Sequence, residues 1–397
     1  MKSSSYIELD RDALRKNIKY LQKRIGQSRF CSVIKGDAYG HGIKEFLPLV
    51  EECGVDFFAV ADAYEAEKAV EVKRPATHVM IMAMIDNHHL EWAVENGISF
   101  FVFDKDRLLG AVRAAEKVGR PARIHIEVET GMNRTGFEMC ELDDVAELIL
   151  NNPDAISVDG VCTHYAGAES VANYRRIIDQ FGLFKKRIKL FADRGIRPAY
   201  RHTACSAAAL TYPQTIMDMV RFGIAQYGFW PSKETRMYNL LSDDTKFKVD
   251  PLHQVLSWKS RVMAIKPVGK GKFVGYGTSF LTTKDMKLAI IPLGYFHGYQ
   301  RSLSNLGHVL IGGCKCSVVG MVNMSMFMVN VTHVPVVKKG DEVVLIGKQG
   351  NQHISVASFS EMSNYVNYEL LTHLPSYIPR RVVSKPPNHF THSNHFE

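Results

Sequence analysis

A lysine stands where a short apolar run meets a glycine-rich turn, in the segment KGDAYGHG that begins at Lys35. Residues Phe30–Ile34 form a run of strand length, which is typical of a strand buried on both faces of a parallel sheet. Lys35 then lies at the carboxyl end of this predicted strand, where barrels and open α/β sheets hold their active sites. A partly desolvated lysine has a lowered pKa and can form a Schiff base with a carbonyl group. Lys35 is therefore a candidate for covalent chemistry, although a solvated lysine in a turn would show the same local sequence.

Polar residues also stand at the carboxyl ends of four later predicted strands; they are Arg134, His164, His202, Ser206 and Arg221. Taken singly, each has a structural explanation, since a buried arginine can pair with a carboxylate and a histidine can end a strand. Together they predict one site, because the carboxyl ends of barrel strands meet at one mouth. The segments after the last two strands form the usual phosphate position of barrels, where the Ser206 hydroxyl and the N–H groups of Gly223 and Ile224 can bind an anion.

Eight short apolar runs, with helical segments between them, would position these residues. Asp104–Val118 and Val171–Ala192 show helical spacing and are followed by glycine, which commonly ends a helix. Eight strands alternating with helices are the pattern of a closed barrel, so the predicted fold class is α/β with an N-terminal (β/α)8 TIM-type barrel. The predicted strands are Phe30–Ile34, Phe57–Ala61, Val79–Met82, Ser99–Phe103, Ala122–Val128, Ile156–Thr163, Ala199–His202 and Met219–Phe222.

A change in the sequence after Pro231 marks a second, mostly-β C-terminal domain. Residues Lys233–Lys248 are polar and irregular, and the chain beyond them alternates as strands do, with glycine and proline turns. The strands predicted there, before one helix at Val356–His373, are Val255–Ile265, Phe273–Phe280, Leu288–Pro292, His308–Ile311, Ser317–Val322, Phe327–Val331 and Glu342–Ile346. The expected parts are a strand at 1–10 that joins the β domain, a barrel over 11–235, the β domain over 236–384 and a disordered tail over 385–397.

Composition argues against several classes of protein. The 397 residues carry 49 Lys+Arg and 41 Asp+Glu, a net charge of +8, but the basic residues are dispersed and no nucleic-acid-binding motif is present. No run approaches membrane-spanning length, and the N-terminus resembles neither a signal peptide nor a transit peptide. Seven cysteines without paired spacing predict reduced thiols in a cytoplasmic protein. The tail histidines are interpreted as part of a polar segment, and no metal site is predicted.

With these motifs the chain resembles the alanine racemase family of fold-type III pyridoxal phosphate (PLP) enzymes, over residues 5–382. The motifs keep the family's order across both domains, which makes the resemblance highly specific. They are Lys35–Gly42, Thr130–Arg134, Thr163–His164, the segment around Arg221, Val274–Gly277, Gly294–Tyr295 and Asn367–Glu369. The resemblance implies an N-terminal PLP barrel, a C-terminal β domain and a head-to-tail homodimer in which each β domain completes the partner's site.

The resemblance also implies roles for the candidate residues. Lys35 would carry PLP as a Schiff base, His164 would lie against the cofactor ring, and Arg221 would face the pyridine nitrogen. Because arginine only donates hydrogen bonds, it disfavours a protonated ring nitrogen, and this limits side reactions. Arg134 would orient the cofactor and the substrate carboxylate, with His202 as a supporting residue. The implied phosphate ligands are Tyr39, Ser206, Gly223, Ile224 and Tyr368, and the implied carboxylate ligands are Tyr295 and the Met324 backbone.

Racemisation requires a proton to leave one face of Cα and another to arrive on the opposite face, so two bases are the economical arrangement. By the resemblance these bases are Lys35 and Tyr276, and the tyrosine comes from the partner subunit. A neighbouring histidine such as His164, with Arg221 behind it, would make the phenol of Tyr276 easier to deprotonate. A strand aromatic is the alternative for Tyr276, but a tyrosine between two glycines packs poorly in a core. The predicted function is a cytoplasmic, homodimeric, PLP-dependent amino-acid racemase, with alanine the default substrate.

The sequence departs from the family pattern on the substrate side, at Glu127, Cys205, His297, Asn323 and Ser325. Glu127 stands where many members have a lysine that becomes carbamylated, so its carboxylate is expected to pair directly with Arg134; a surface glutamate is the alternative. Asn323 and Ser325 flank Met324 and indicate a broader specificity. The alternative functions are a racemase for serine or larger amino acids, a fold-type III decarboxylase and a non-catalytic PLP-binding protein. The pattern around Tyr276 argues against the decarboxylase, and the presence of a β domain argues against the binding protein.

Overall fold

The structure is a computed structural model, and it describes residues 4–242, 250–358 and 367–384. The strands of the first half are β1 (Ser5–Asp10), β2 (Arg29–Val33), β3 (Phe57–Asp62), β4 (His78–Met84), β5 (Ser99–Val102), β6 (Ala122–Glu127), β7 (Ile156–Cys162), β8 (Tyr200–His202) and β9 (Met219–Phe222). The later strands are β10 (Leu256–Arg261), β11 (Ala264–Val268), β12 (Met286–Ile291), β13 (His308–Ile311), β14 (Cys314–Val319), β15 (Phe327–Asn330), β16 (Glu342–Gln349), β17 (Gln352–Ile354) and β18 (Arg380–Val383). The helices are α1 (Arg11–Ile25), α2 (Ile43–Glu51), α3 (Ala63–Val70), α4 (Asn87–Glu95), α5 (Lys105–Val118), α6 (Leu142–Leu150), α7 (Tyr174–Asp193), α8 (Ser206–Thr211), α9 (Lys233–Ser242) and α10 (Asn367–Thr372).

Eight parallel strands form a barrel in the unit Lys16–His253. Hydrogen bonding follows the order β8-β7-β6-β5-β4-β3-β2-β9. Between the two outermost strands, the Asp218 N–H donates to the Arg201 carbonyl (3.1 Å) and the Arg221 N–H donates to the Ala204 carbonyl (3.0 Å). The predicted (β/α)8 barrel is confirmed, and the carboxyl ends of its strands share one mouth.

Burial on both faces explains why these strands are continuous apolar runs in the sequence. Strands β5 and β9 are buried along their whole length, and β2 is buried except at Arg29. Two of the barrel helices, α3 and α5, begin at carboxylate caps. Asp62 Oδ1 accepts from the Glu65 N–H (2.9 Å), and Asp104 Oδ1 accepts from the Arg107 N–H (2.8 Å).

The second unit contains β1 and the strands β10 to β18, within residues 1–15 and 254–397. Its strand order is β11-β12-β15-β14-β13-β16-β10-β1-β18, and β17 pairs with β16. Strand β1 runs antiparallel to β10 and parallel to β18. Trp258 and Tyr299 are fully buried, and the Tyr299 ring stacks on Phe327 with centroids 4.3 Å apart, so aromatic side chains fill the core. The prediction of a mostly-β C-terminal domain is confirmed.

Three predictions about this part of the chain were wrong in detail. Phe273–Phe280 is a loop rather than a strand, because Gly275 (φ 78°) and Gly277 (φ 67°) take the left-handed conformation, which interrupts a strand. Val255–Ile265 is divided between β10 and β11. Lys233–Ser242 is helical where an irregular segment was predicted.

Two strands, β17 and β18, were not predicted. The helix predicted at Val356–His373 falls partly on residues 359–366, outside the described residues, while Asn367–Thr372 is helical. The tail 385–397 also lies outside the described residues. Across the described ranges, no helix combines the length and the apolar character needed to cross a membrane.

Candidate active site

The backbone that follows β2 makes a left-handed turn at the barrel mouth. Gly36 (φ 64°, ψ 45°), Asp37 (φ 51°, ψ 52°) and Ala38 (φ 54°, ψ 48°) are all left-handed, and Tyr39 continues with φ 51°. This conformation costs about 1–2 kcal/mol for each residue with a side chain, so other interactions must stabilise it. The turn directs the chain away from the barrel axis immediately after Lys35.

Two carboxylates stabilise the turn. The buried Glu65, in α3, accepts hydrogen bonds from the N–H groups of Asp37 and Ala61, each at 2.9 Å. Asp37 Oδ1 in turn accepts from the Ile43 N–H at 3.1 Å, at the start of α2. A carboxylate that accepts two backbone N–H groups forms charge-assisted bonds, which offset part of the backbone strain. The sequence analysis did not identify Glu65, because its role depends on a contact between separate elements.

Lys35 lies at the solvent-accessible mouth, but protein atoms partly desolvate its amine. This desolvation lowers the pKa of Lys35, and the positive charges of Arg134 and then Arg221 lower it further. The negative charge of Glu65 acts in the opposite direction. A lowered pKa increases the fraction of neutral amine, the form that attacks a carbonyl carbon or accepts a proton.

Arg221 is a buried cation whose hydrogen-bond acceptors are neutral. Its side chain is only 5% exposed. One Nη donates to His202 Nδ1 (2.5 Å) and to the His202 carbonyl (2.9 Å), and the other donates to the carbonyls of Thr163 (2.8 Å) and Thr203 (3.2 Å) and approaches His164 Nδ1 (3.4 Å). In the part of the chain that the structure describes, no carboxylate bonds this guanidinium. Among the described residues, the acceptors that hold Arg221 at the barrel mouth are therefore neutral.

The histidines beside Arg221 are neutral. Burial lowers the pKa of His164 to about 3, with further contributions from Arg221, Arg134 and Lys35. Burial and Arg221 also lower the pKa of His202 well below its usual value. Neutral imidazoles can accept hydrogen bonds from the guanidinium, whereas imidazolium ions would repel it.

The loop after β6 carries Arg134 and is held at its base by Glu129. This carboxylate accepts from the N–H groups of Gly131, Met132 and Asn133, the last two at 2.8 Å. Backbone bonds from the Phe137 N–H to the Glu127 carbonyl and from the Glu129 N–H to the Phe137 carbonyl close the loop. The loop is thereby rigid at its base, while the Arg134 side chain is exposed.

Gln180, in α7, joins this loop to the segment after β7. Its amide donates to the His164 carbonyl (3.1 Å) and approaches Thr130 Oγ1 (3.4 Å), and its Oε1 accepts from the Ala166 N–H (3.0 Å). Gln180 and Glu129 were missed by the sequence analysis. Gln180 lies in a helix rather than at a strand end. Glu129 directly follows the predicted strand Ala122–Val128, but it acts through backbone N–H groups that the sequence pattern does not show.

The predicted direct pair between Glu127 and Arg134 does not form in this structure. The buried Glu127 carboxylate instead accepts from the hydroxyl of Thr135, the residue after Arg134, at 2.8 Å. Burial raises the pKa of Glu127, and the Thr135 hydrogen bond and the charge of Arg134 oppose that rise. The alternative of a surface glutamate is also wrong, since Glu127 is 5% exposed. The Thr135 hydroxyl, rather than the Arg134 guanidinium, bonds the Glu127 carboxylate, because the Arg134 side chain is exposed to solvent.

Tyr39, Ser206 and Gly223 surround one small polar space. Ser206 Oγ accepts from the N–H groups of Gly223 (3.1 Å) and Ala225 (3.5 Å). A Cβ atom added at Gly223 would lie 2.5 Å from Tyr39 Oη, so only glycine lets the hydroxyl come this close. Burial raises the pKa of Tyr39, which keeps its phenol protonated. Two hydroxyl groups beside a glycine backbone, with Ile224 starting a short helix, fit a phosphate group.

Candidate residues of the second unit lie on adjoining loops. The Tyr295 N–H donates to the Asn323 carbonyl at 3.1 Å, and a Cβ atom at Gly294 would lie 1.9 Å from that oxygen, so the loops of Tyr295 and Met324 pack directly together. Tyr276 is 74% exposed and belongs to no core. Tyr368 lies in α10 and is partly exposed.

His297, one of the departures from the family pattern, has a local structural role. Its Nδ1 accepts from the Gly294 N–H at 3.2 Å and closes the short helix Tyr295–His297. Its ring also contacts Phe296 and Tyr377. Histidine at this position therefore stabilises the loop that presents Tyr295.

Comparisons with known proteins agree with this architecture. The alanine racemase N-terminal domain model matches residues 9–231, and the C-terminal domain model matches residues 255–382. Alanine racemase from Leptospira interrogans is 32% identical over 387 residues, which cover 96% of each chain. The crystal structure of alanine racemase from Streptomyces lavendulae has a TM-score of 0.87 at 27% identity, covering 98% of this chain and 100% of that one.

A further solved structure shares the fold. Alanine racemase from Bartonella henselae, determined with covalently bound pyridoxal phosphate, has a TM-score of 0.80 at 24% identity and covers 96% of this chain and 100% of that one. Both family models match in order, and together they span most of the sequence. The chain belongs to the alanine racemase family.

Proposed function

We propose that this chain is a PLP-dependent amino-acid racemase whose default substrate is alanine. The observation that carries the proposal is the position of Lys35. Its pKa is lowered at a barrel mouth that also holds the cations Arg134 and Arg221. A phosphate and a carboxylate are the anions that such a mouth favours, and a neutral lysine beside them can attack an aldehyde.

The polar space formed by Tyr39, Ser206 and Gly223 would hold the phosphate of PLP. When bound, PLP withdraws electrons from Cα of an amino acid and so eases loss of its proton. Lys35 would attach the cofactor covalently, and His164 would lie against its ring. The neutral state of His164 suits this position, because it adds no second charge beside Arg221.

Arg221 would control the electronic state of the cofactor. A guanidinium can only donate, so a pyridine nitrogen that faces it accepts a hydrogen bond and stays unprotonated. Arg221 would thereby make a bound cofactor a weaker electron sink, which would limit side reactions. The neutral acceptors that hold Arg221 leave its charge uncompensated, which strengthens this effect.

Proton transfer would use one base on each face of Cα. Lys35 would serve one face, and Tyr276 of the partner subunit would serve the other. Two features support this assignment. Tyr276 is 74% exposed between two left-handed glycines, and the neighbouring loops expose further large apolar side chains, Tyr295, Phe296 and Met324. Such a surface suits a homodimer in which each chain completes the partner's site.

The substrate carboxylate would bind to Arg134 and to Tyr295 and the Met324 backbone, the last two from the partner subunit. Asn323 and Ser325 beside Met324 also favour acceptance of serine or larger side chains. A hydrophobic pocket discriminates one methylene by only about 1–3 kcal/mol, so modest reshaping broadens acceptance. A cytoplasmic location is proposed because the cysteines lack the paired spacing of a disulfide framework.

The test is racemisation of L-alanine by the purified full chain with PLP, together with trapping of the covalent adduct by borohydride. Wild type should form D-alanine and give a trapped adduct on the peptide that contains Lys35. Lys35→Ala should lose both. Lys44→Ala is the matched control, because Lys44 is an exposed lysine nearby that pairs with Glu71. An adduct that persists in Lys35→Ala would overturn the assignment, and an adduct on Lys35 without racemisation would favour a non-catalytic PLP-binding protein.

A further inference from the structure

We infer that His125 is a positioning residue for the proposed reaction: it accepts a hydrogen bond from Nε2–H of a neutral His202, which orients that ring and so fixes the guanidinium of Arg221. The effect of His125 on the reaction rests on the proposed function, whereas the hydrogen bonds that join Arg221, His202 and His125 do not depend on it. His125 lies in β6 and points into the barrel core, and the sequence analysis did not identify it.

Hydrogen bonds run from Arg221 through His202 to His125. Arg221 Nη1 donates to His202 Nδ1 at 2.5 Å, and His202 Nε2 lies 2.9 Å from His125 Nδ1. Because a guanidinium cannot accept, His202 Nδ1 must be unprotonated, and a neutral His202 then carries its proton on Nε2. That proton is donated to His125 Nδ1, so His125 must carry its own proton on Nε2. The direction of every bond is therefore determined by the arginine.

The far end of this chain of bonds is enclosed. His125 and His202 are both 0% exposed, and His125 Nε2 has no hydrogen-bond partner within the described ranges. The His125 ring contacts Phe57 and Phe101, each with centroids 6.2 Å away. Among the described residues, no charged acceptor ends this series of hydrogen bonds. Both imidazoles are neutral, as their lowered pKa values also indicate.

The barrel is adapted to hold this ring. A Cβ atom at Gly160 in the neighbouring strand β7 would lie 2.2 Å from His125 Nδ1. The pairing of β6 with β7 also shifts between Ile124 and His125, so that His125 pairs with Gly160. Glycine within a strand commonly marks such a close approach.

A neutral acceptor behind His202 has a specific consequence for Arg221. A carboxylate in the place of His125 would accept the same proton, but it would favour an imidazolium at His202 and compensate the arginine's charge. An apolar side chain would leave the His202 Nε2–H unpaired and its ring free to turn. His125 orients the ring without supplying an anion, so Arg221 remains both fixed and fully charged.

The test compares His125→Asn with His125→Leu in the full chain with PLP. The two side chains are similar in size, so they leave similar space in the core, but only asparagine places an oxygen where Nδ1 now accepts. The first measurement is the ¹⁵N spectrum of histidine-labelled protein, with His202 assigned through His202→Gln. Wild type and His125→Asn should show His202 protonated on Nε2 alone between about pH 6 and pH 8.

The second measurement is a ratio of two reactions. It divides the number of racemisation turnovers by the number of side reactions in which bound PLP becomes pyridoxamine phosphate and a keto acid is released. This ratio should stay within about twofold of wild type in His125→Asn and fall about tenfold or more in His125→Leu. Equal ratios in the two variants would mean that His125 only fills space in the core, and this would contradict the inference. A wild-type His202 that is doubly protonated, or protonated on Nδ1, would overturn the inference even if neither variant folds. Absence of any adduct on Lys35 would instead refute the proposed function, while the tautomers stay readable.

Discussion

Three basic side chains, Lys35, Arg134 and Arg221, share the barrel mouth. Desolvation lowers the pKa of the lysine, and the charges of the two arginines lower it further. Nearby imidazoles are neutral and so add no further positive charge. The carboxylates Glu65 and Glu127 are each held by hydrogen bonds to the protein rather than paired directly with these cations. At the scale of single residues, the site therefore presents three basic side chains that no carboxylate of the described residues pairs directly, which suits a dianionic cofactor and an amino-acid carboxylate.

Glu127 places a carboxylate at the base of the Arg134 loop, at a position where the family resemblance implies a carbamylated lysine in many members. We expect activity to be insensitive to added bicarbonate, because no lysine at this position needs carbamylation. Glu127→Gln should lower kcat while borohydride still traps PLP on Lys35. Thr135→Val should act in the same direction, since Thr135 is the observed contact to Glu127. Kinetics that remain at wild-type values in both variants, with and without bicarbonate, would remove Glu127 from the site.

Tyr276 should be required for chemistry but not for cofactor binding. Tyr276→Phe keeps the ring and removes the hydroxyl, so racemisation should fall about 10²–10⁴-fold, the usual contribution of an acid–base group. PLP should still be trapped on Lys35. Tyr64→Phe serves as the control, because Tyr64 is a similarly exposed tyrosine on α3. A near-normal rate in Tyr276→Phe would mean that another residue serves the second face.

At the scale of elements, the left-handed turn after β2 is the feature that presents Lys35, and Glu65 in α3 stabilises it. Glu65→Gln should destabilise the protein by about 1–3 kcal/mol, because an amide cannot accept both N–H bonds. Removing the negative charge should also lower the pKa of Lys35 further. Urea unfolding measures the first effect, and the pH dependence of borohydride trapping measures the second. Glu67→Gln, at an exposed position of the same helix, should change neither.

The barrel elements were predictable because each local signal agrees with the global fold. All eight strands appear as apolar runs, and the residues at their ends can be assigned to one mouth from spacing alone. Glu65, Gln180 and His125 could not be found this way, since each acts through a contact between elements distant in sequence. Glu129 was missed because it accepts from backbone N–H groups of its own loop, which the sequence pattern does not show. Similarly, β18 has an ordinary charged sequence and forms a strand only because β1 pairs with it.

The loop Phe273–Phe280 shows the opposite error. Its alternating pattern is typical of a strand, but two of the alternating positions are glycines with positive φ. Pattern alone does not reveal backbone conformation, and here the conformation leaves Tyr276 exposed rather than paired in a sheet. The same departure from a regular strand exposes the tyrosine, as its proposed role in the site of a partner subunit requires.

At the scale of the whole molecule, buried neutral histidines link stability to pH. The pKa of His125 is lowered by burial to about 3, whereas the unfolded value is about 6.5. Below pH 6.5, His125 binds a proton in the unfolded chain but not in the folded chain. As pH falls from 6.5 towards 3, this residue should therefore lower the free energy of unfolding by about 1.4 kcal/mol for each pH unit. Urea unfolding between pH 6.5 and pH 4.5 should show a smaller slope in His125→Asn than in wild type. The exposed His88→Asn should leave the slope unchanged.

The central claim is that the chain exchanges the Cα proton of an amino acid on both faces, with Lys35 as one base. The most direct measurement is the fate of that proton for L-alanine incubated with the full chain and PLP in ²H₂O, followed by NMR and chiral analysis. Wild type should yield D-alanine with deuterium at Cα, and Lys35→Ala should give neither exchange nor D-alanine. A wild-type chain that carries PLP on Lys35 yet leaves the Cα proton of every tested amino acid unexchanged would contradict the account.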